Sequence, residues 1–485
     1  MLVLLVILAP LVAALLGRFL PGRWSDRGQL FGATLASLLA LAVAARVFLT
    51  GPIAGGPFYL DALGALLLAV IALVGWGGAA ESIGYLRHDV EARRLAADQP
   101  RWFYVWYHLF LASMFAVVTF ENLGLIWVAI EATTVFSAIL VGFYRTKDSL
   151  EAAWKYLIIC TVGISFALFG TLLLYYAGAH ALGSEASALS WRVLRANAGQ
   201  LDPRLIRLAF VFVLVGYGTK AGFAPLHTWL PDAHSQAPTP VSAVLSGVLL
   251  PCALYAIVRV HLIAVGALGP AFSSTLLIGM GTLSVAVAVP FILIQHDLKR
   301  LLAYSSIEHV GLMTVAFGLG GPIGFFAAAV HLVTHGLGKA LLFFAAGAFS
   351  ERYGTRNMAR IHGAARALPF SGPILLVGAL AIAGAPPSGL FLSELSVLAV
   401  GFATGRTWVS VILLACLTLI FGGMFFHAGR MVLGAPRQTV KRGESIGALA
   451  LVGVPLALVV LLGVFIPPPI VSAIGQVVTV LGGAT

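Results

Sequence analysis

The sequence predicts an all-α, polytopic membrane protein of about fourteen transmembrane helices, arranged as two inverted repeats of five helices that each contain a broken helix. Three observations predict it. Hydrophobic residues make up 60% of the 485 positions and charged ones only 10%, whereas a soluble chain of this length carries about 25% charge. Apolar runs of membrane length recur along the whole chain. Two of those runs, 205–229 and 370–402, are interrupted by proline and each carries an ionisable residue beside the interruption, a pattern that inverted-repeat transporters show.

Hydropathy places the spans at 1–20, 29–49, 58–80, 102–119, 122–143, 153–177, 205–229, 240–263, 272–294, 299–318, 323–349, 370–402, 407–433 and 446–466. The N-terminal run MLVLLVILAPLVAALLG lacks the charged start of a signal peptide and reads as the first membrane helix. The tail after 466 is too short to predict a further span. The spans group as an N-terminal segment with its loop (1–101), a first repeat (102–263), a second repeat (264–434) and a C-terminal helix and tail (435–485).

The net charge of +11 would suit nucleic acid if it formed a patch, but it is spread as a topology signal. Basic residues crowd the loops after odd-numbered spans: Arg18, Arg23 and Arg27; Arg87, Arg93, Arg94 and Arg101; Arg145 and Lys147; Lys299 and Arg300; Arg352, Arg356, Arg360 and Arg366; Arg430, Arg437, Lys441 and Arg442. Even loops hold few, chiefly Arg192, Arg195, Arg204 and Arg207 in the longest. The positive-inside rule makes the odd loops cytoplasmic and puts both termini outside. No nucleic-acid partner is expected. Segment 81–101 is the most hydrophilic part of the chain and reads as a solvated loop or a surface helix, either a docking surface for a soluble partner or a plain connection. Cys160, Cys252 and Cys416 stand apart with no CxxC, which argues against a cysteine-held metal cluster or a disulfide. No cofactor is expected within the chain.

The chemistry lies inside the spans. Lys220 is fifteen residues into the run that starts near Leu205, ~22 Å deep at 1.5 Å per residue, where a cation is costly unless paired, hydrated or neutralised. Pro225 then removes a backbone donor and interrupts the helix. His227 lies just past the break, where proton exchange and backbone capping are both open to it. Glu131, mid-way along the fifth span, must be neutral, hydrated or paired. Lys155 at the entry of the sixth span either shares a path with Glu131 or reaches to the cytoplasmic surface. Ser305, Ser306, Glu308 and His309 make one end of the tenth span wet. His331, His335 and Lys339 recur every four residues and form a polar stripe some 12 Å long on one face of the eleventh. Zinc could use the two histidines, but the lysine repels a metal and no acid stands near in sequence, so a proton relay fits better. Glu394 follows Pro386 and Pro387 in the second broken span. Asp61 reads as a helix-start acid, and Arg259 and His261 as interfacial.

Four motifs carry a resemblance: GLIWVAIEATT, GTKAGFAPLHTWLPDAHSQAPTPVSA, HDLKRLLAYSSIEH and HLVTHGLGKALLFF. Over about 100–430 the chain resembles the antiporter-like membrane subunits shared by respiratory complex I, membrane-bound nickel-iron hydrogenases and multisubunit sodium/proton antiporters. SSIEHVG, EATT and EAAWKYLIIC look most like the hydrogenase-4 component F branch. The resemblance implies that Glu131 and Lys220 pair and unpair as protons move, that His331, His335 and Lys339 form a central relay, and that Glu394 is the terminal acid. It further implies a prokaryotic cytoplasmic membrane, other membrane and soluble subunits as partners, and protons, or sodium in the antiporter case, as the transported ion. A subunit that assists inorganic-carbon uptake with a soluble zinc protein is a further alternative, and a non-pumping scaffold another. Where many complex I relatives carry a lysine in the eighth helix, this chain reads GVLLPCALY, so a strict copy of their relay is in doubt. No flavin, nickel, iron–sulfur or nucleotide motif is present, so redox energy is expected from partner subunits.

Overall fold

In a computed structural model, which describes residues 2–183, 185, 187–435, 444 and 446–482, the chain is a bundle of helices with one small hairpin. Arg437, Lys441 and Arg442 lie outside the described residues. The chain opens with α1 (Leu2–Phe19) and α2 (Arg23–Thr50), and a hairpin of β1 (Ile53–Gly55) and β2 (Phe58–Leu60) leads into α3 (Ala62–Glu91). Then come α4 (Gln99–Thr119), α5 (Leu123–Val141), α6 (Lys147–Leu182) and a short α7 (Trp191–Ala196). After α8 (Pro203–Ala221) the helix breaks and resumes as α9 (Trp229–Gln236). α10 (Thr239–Val244) passes through a single π-helical stretch, Leu245–Leu249, into α11 (Leu250–Leu268). α12 (Pro270–Leu293), α13 (Leu298–Leu319) and α14 (Gly321–Tyr353) precede the one-turn α15 (Ala364–Ala367). A second interrupted pair, α16 (Ser371–Ile382) and α17 (Gly389–Ala403), is followed by α18 (Thr407–Val432), α19 (Ile446–Val464) and α20 (Pro468–Val480).

Each of the fourteen predicted segments falls on a helix or on an interrupted pair. By length and apolarity, ten helices among the described residues can cross a membrane, or eleven if the bent pair α19–α20 counts as one. α8 and α13 are not among them, and α16 and α17 are too short singly. The first of the ten, α1, packs against α2 and α4. The tail forms a helix after all: α20 turns 76° from α19, and the Gln476 side-chain amide donates to the Phe48 carbonyl at 2.9 Å.

Local sequence explains the helix starts. Asn122, Thr146, Asp202, Asp297 and Ser388 each cap a first turn, their side-chain oxygens accepting from backbone N–H groups that have no partner within the helix. The two breaks are built alike. Gly222 (φ 81°) and Gly384 (φ 79°) take the left-handed conformation that ends a helix. The next residue closes each end with a bond five residues back, Phe223 to Gly218 and Ala385 to Leu380, both at 2.9 Å. Carbonyls freed by the breaks find partners: the Trp229 indole donates to Thr219 at 2.9 Å, and the Ser388 hydroxyl to Ala381 at 3.0 Å. That is how interrupted backbone is tolerated away from water.

Helix α8 is pressed against α6 through Gly216, where a Cβ would lie 2.3 Å from the Ala167 backbone nitrogen. Gly216→Ala is therefore expected to cost about 1–3 kcal/mol, the usual range for overpacking. Thermal unfolding of the detergent-purified chain checks this, and an unshifted midpoint would contradict the close approach.

Two expectations change in the folded chain, at Arg259 with His261 and at Lys299, while segment 81–101 takes the helical alternative over its first part. Arg259 and His261 are buried, at 2% and 3% exposure, instead of interfacial. The Arg259 guanidinium donates to both oxygens of Asp61 at 2.6 and 2.7 Å and to the Tyr255 hydroxyl at 2.9 Å, and stacks over Trp191. Lys299 is not a loop cation but is buried, donating to the Ala237 carbonyl at 2.6 Å. The hydrophilic segment 81–101 begins as the last three turns of α3, tied by Arg87 to Asp26 and by Tyr144 to Asp89.

Candidate functional site: two buried polar clusters

The first cluster surrounds Lys220, which is fully buried on the last turn of α8. Its ammonium donates to the Thr134 hydroxyl on α5 at 2.9 Å and to the Tyr156 hydroxyl on α6, and lies over the Tyr156 ring. The Tyr156 and Ser137 hydroxyls are 2.6 Å apart. Glu131 sits one turn from Thr134 on α5, half-buried, and accepts from Thr161 of α6 at 3.3 Å. Its other oxygen has no partner among the described residues. Glu131 and Lys220 make no direct ion pair among the described residues. Thr134, the hydroxyl that accepts from Lys220, lies one turn along α5 from Glu131, so the acid and the base flank the same stretch of α5 without closing as a pair.

The second cluster is built where α13, α14 and α17 meet. Lys339 of α14 donates to the Ser305 hydroxyl at 2.7 Å and to the Leu302 carbonyl at 3.1 Å. The i, i+4 stripe holds, so His335 and His331 continue on the same face of α14. His335 Nε2 donates to the Ser246 carbonyl at 3.1 Å, a carbonyl of the π-helical stretch. Such single-turn widening redirects backbone groups and is frequent at functional sites. Ser246 and Ser306 share a hydrogen bond of 2.6 Å. His309 of α13 reaches His331 at 3.1 Å, ring nitrogen to ring nitrogen, and His331 reaches the Ser393 hydroxyl of α17 at 2.9 Å. Glu308 lies 3.3 Å from His309. Glu394, one residue after Ser393, rests against the second break, since a Cβ on Gly384 would fall 2.0 Å from its carboxylate.

All of Glu308, His309, His331, His335, Lys339 and Glu394 are buried. Both oxygens of Glu308 and one of Glu394 lack a hydrogen-bond partner among the described residues. A core normally satisfies its polar atoms, so these carboxylate oxygens stand out from their surroundings. The carboxylates, imidazoles and ammonium here span both donor and acceptor roles.

Two of the sequence candidates fall outside these clusters. Lys155 is half-exposed and pairs with Glu151 at 2.6 Å and with Asp232 at 3.4 Å, while Asp232 also binds Arg300. The structure thus places Lys155 in a surface ion network at α9, on the helix that also supplies Thr161 to Glu131. His227 is buried in the break, beside the stacked rings of Phe291 and Tyr304, and its Nδ1 has no partner among the described residues. Tyr156, Thr134, Ser137, Ser246 and Ser393 were not singled out from sequence. The motifs EATT, KYL and SEL contained most of them, but hydroxyls in apolar helices usually bond their own i−4 carbonyl, so their spacing alone does not mark them.

A family model described as NADH:quinone oxidoreductase/Mrp antiporter, TM, matches residues 121–420, which hold every residue of both clusters. The chain belongs to that family. Among its relatives, a hydrogenase-4 component F homolog of Methylacidiphilum infernorum is 39% identical over 424 residues, covering 86% of this chain and 87% of that protein. Among solved structures, a chain of the membrane-bound sulfane sulfur reductase, an archaeal respiratory membrane complex, superposes with a TM-score of 0.87 at 25% identity, over 98% of this chain and 97% of that one. A chain of respiratory complex I from Thermus thermophilus gives 0.77 at 26% identity, over 96% and 97%. The antiporter-like membrane subunits of this family come from multisubunit complexes, and the multi-pass helical membrane fold is shared.

Proposed function

We propose that this chain is a proton-translocating membrane subunit of a respiratory-type complex, driven by redox partner subunits. The observation that carries the reading is the pair of buried, hydrogen-bonded clusters of ionisable side chains, each set beside a helix break. Ionisable residues within membrane spans are costly and mark ion pathways. In this reading Lys220 exchanges protons with Glu131 through Thr134 and Tyr156, and the Lys339, His335, His331 and His309 cluster hands them towards Glu308 and Glu394. Coulomb coupling drives the exchange: bringing a unit charge to 4 Å from either lysine changes its energy by about 4 kcal/mol at an effective dielectric of 20. Both termini lie outside in this reading, in a prokaryotic cytoplasmic membrane, with the basic loops facing the cytoplasm. Glu131 is half-exposed on the outer face of α5 and α6, where a partner subunit would cover it from lipid.

The test is proton movement by the native complex in sealed vesicles, followed with a pH-sensitive dye during turnover. Lys339→Met is expected to slow it by about 10²-fold, the low end of what a positioned proton-transfer group supplies, with assembly unchanged. Undiminished acidification by an assembled Lys339→Met complex would make the chain a scaffold.

A further inference from the structure

We infer that His309, His331 and His335 form a binding site for a divalent transition metal of the zinc class, and that an ion held there blocks the second cluster. The functional half rests on the relay reading above; the binding half does not. One ring nitrogen from each of the three imidazoles lies within 4.8 Å of the others, and all three side chains are buried. His309 Nδ1 and His331 Nε2 are already 3.1 Å apart, close to the separation of two nitrogens that share one tetrahedral ion at about 2.0–2.1 Å each.

The outer nitrogens are tied in the way metal-binding histidines are. His335 gives Nε2 to the Ser246 carbonyl, which leaves Nδ1 without a partner, and His331 holds Ser393 through Nδ1, which leaves Nε2 facing His309. A hydrogen bond on the far nitrogen fixes the tautomer and aims the near lone pair, as it does for histidine ligands of metals. The three come from two helices: His331 and His335 are one turn apart on α14, and His309 faces them from α13.

Sequence spacing argued against a metal because Lys339 stands one turn beyond His335 and no acid was near. The fold removes both objections. Lys339 turns its ammonium to Ser305 and the Leu302 carbonyl. Glu308 and Glu394 arrive from α13 and α17 and gather with His309 into a second group of potential ligand atoms within 4.8 Å. Two carboxylates with unpartnered oxygens thus offset the lysine beside the imidazoles. Three nitrogen ligands leave a fourth position open, and imidazole is a ligand that zinc and cobalt share. An ion there occupies the lone pairs that proton transfer needs.

Cobalt(II) is the probe, added to the native complex after a mild chelator wash that leaves its redox activity intact and read as a difference spectrum, with zinc as competitor. The expected result is one cobalt per copy of this chain, with the intense visible absorption of a tetrahedral site, displaced by zinc. It should disappear in His331→Ala and His335→Ala and persist in His362→Gln, a change at a half-buried histidine outside both clusters. His335→Gln, closer in size, repeats the test if the alanine variants fail to assemble. Zinc loading should slow proton movement at least about tenfold, reversed by a chelator. Absence of the band, its survival in the His331 and His335 variants, or unchanged proton movement in the loaded complex would overturn the inference. A band accompanied by no proton movement even in the washed, unloaded complex would uphold the binding site and overturn the relay instead.

Discussion

Lys220→Met is expected to reduce proton movement by the assembled complex about 10²-fold or more, the largest functional effect of any single change in this chain. Methionine fills a similar volume and needs no hydrogen bonds, so the bundle should tolerate it. What disappears is the one ammonium that joins α8 to Thr134 of α5 and Tyr156 of α6. Burying that charge beside a helix break is costly, and nothing in the packing requires it. Tyr156→Phe, which keeps the ring under Lys220 but removes the hydroxyl, should give an intermediate loss. If vesicles carrying Lys220→Met acidify at the parent rate, the first cluster is structural and the relay must begin elsewhere.

The largest effect on stability is expected away from both clusters, at Asp61. Its carboxylate caps α3 by accepting from Gly64 at 3.1 Å and binds Arg259, 198 positions further along the chain, through both oxygens. Asp61→Asn keeps a capping oxygen and removes the charge, leaving Arg259 buried and unpaired, a loss of about 3–5 kcal/mol. Asp61→Asn combined with Arg259→Leu should recover much of that, because the penalty comes from the stranded cation. Chemical unfolding of single and double variants in detergent measures it; a single-variant cost under about 1 kcal/mol would show that Tyr255 and Trp191 suffice to hold Arg259.

The sequence by itself determined a good deal here. Apolar runs of membrane length, a few residues of capping sequence and two Gly-to-Pro interruptions fixed the helical class, the positions of the segments and both breaks, since each is a property of residues within a few turns of one another. The four-residue repeat likewise placed His331, His335 and Lys339 on one face. Only the tertiary structure decided which of these groups meet. Lys220 finds Thr134 and Tyr156 before Glu131, His309 joins the α14 stripe, Glu308 and Glu394 converge from separate helices, and Arg259 closes on Asp61 instead of facing the surface. The reason is physical: hydropathy and helical period are set by neighbours along the chain, whereas contacts across a bundle depend on how each helix is rotated and slid against the next. That is settled by close approaches such as Gly216 on Ala167, which involve the whole packed set at once.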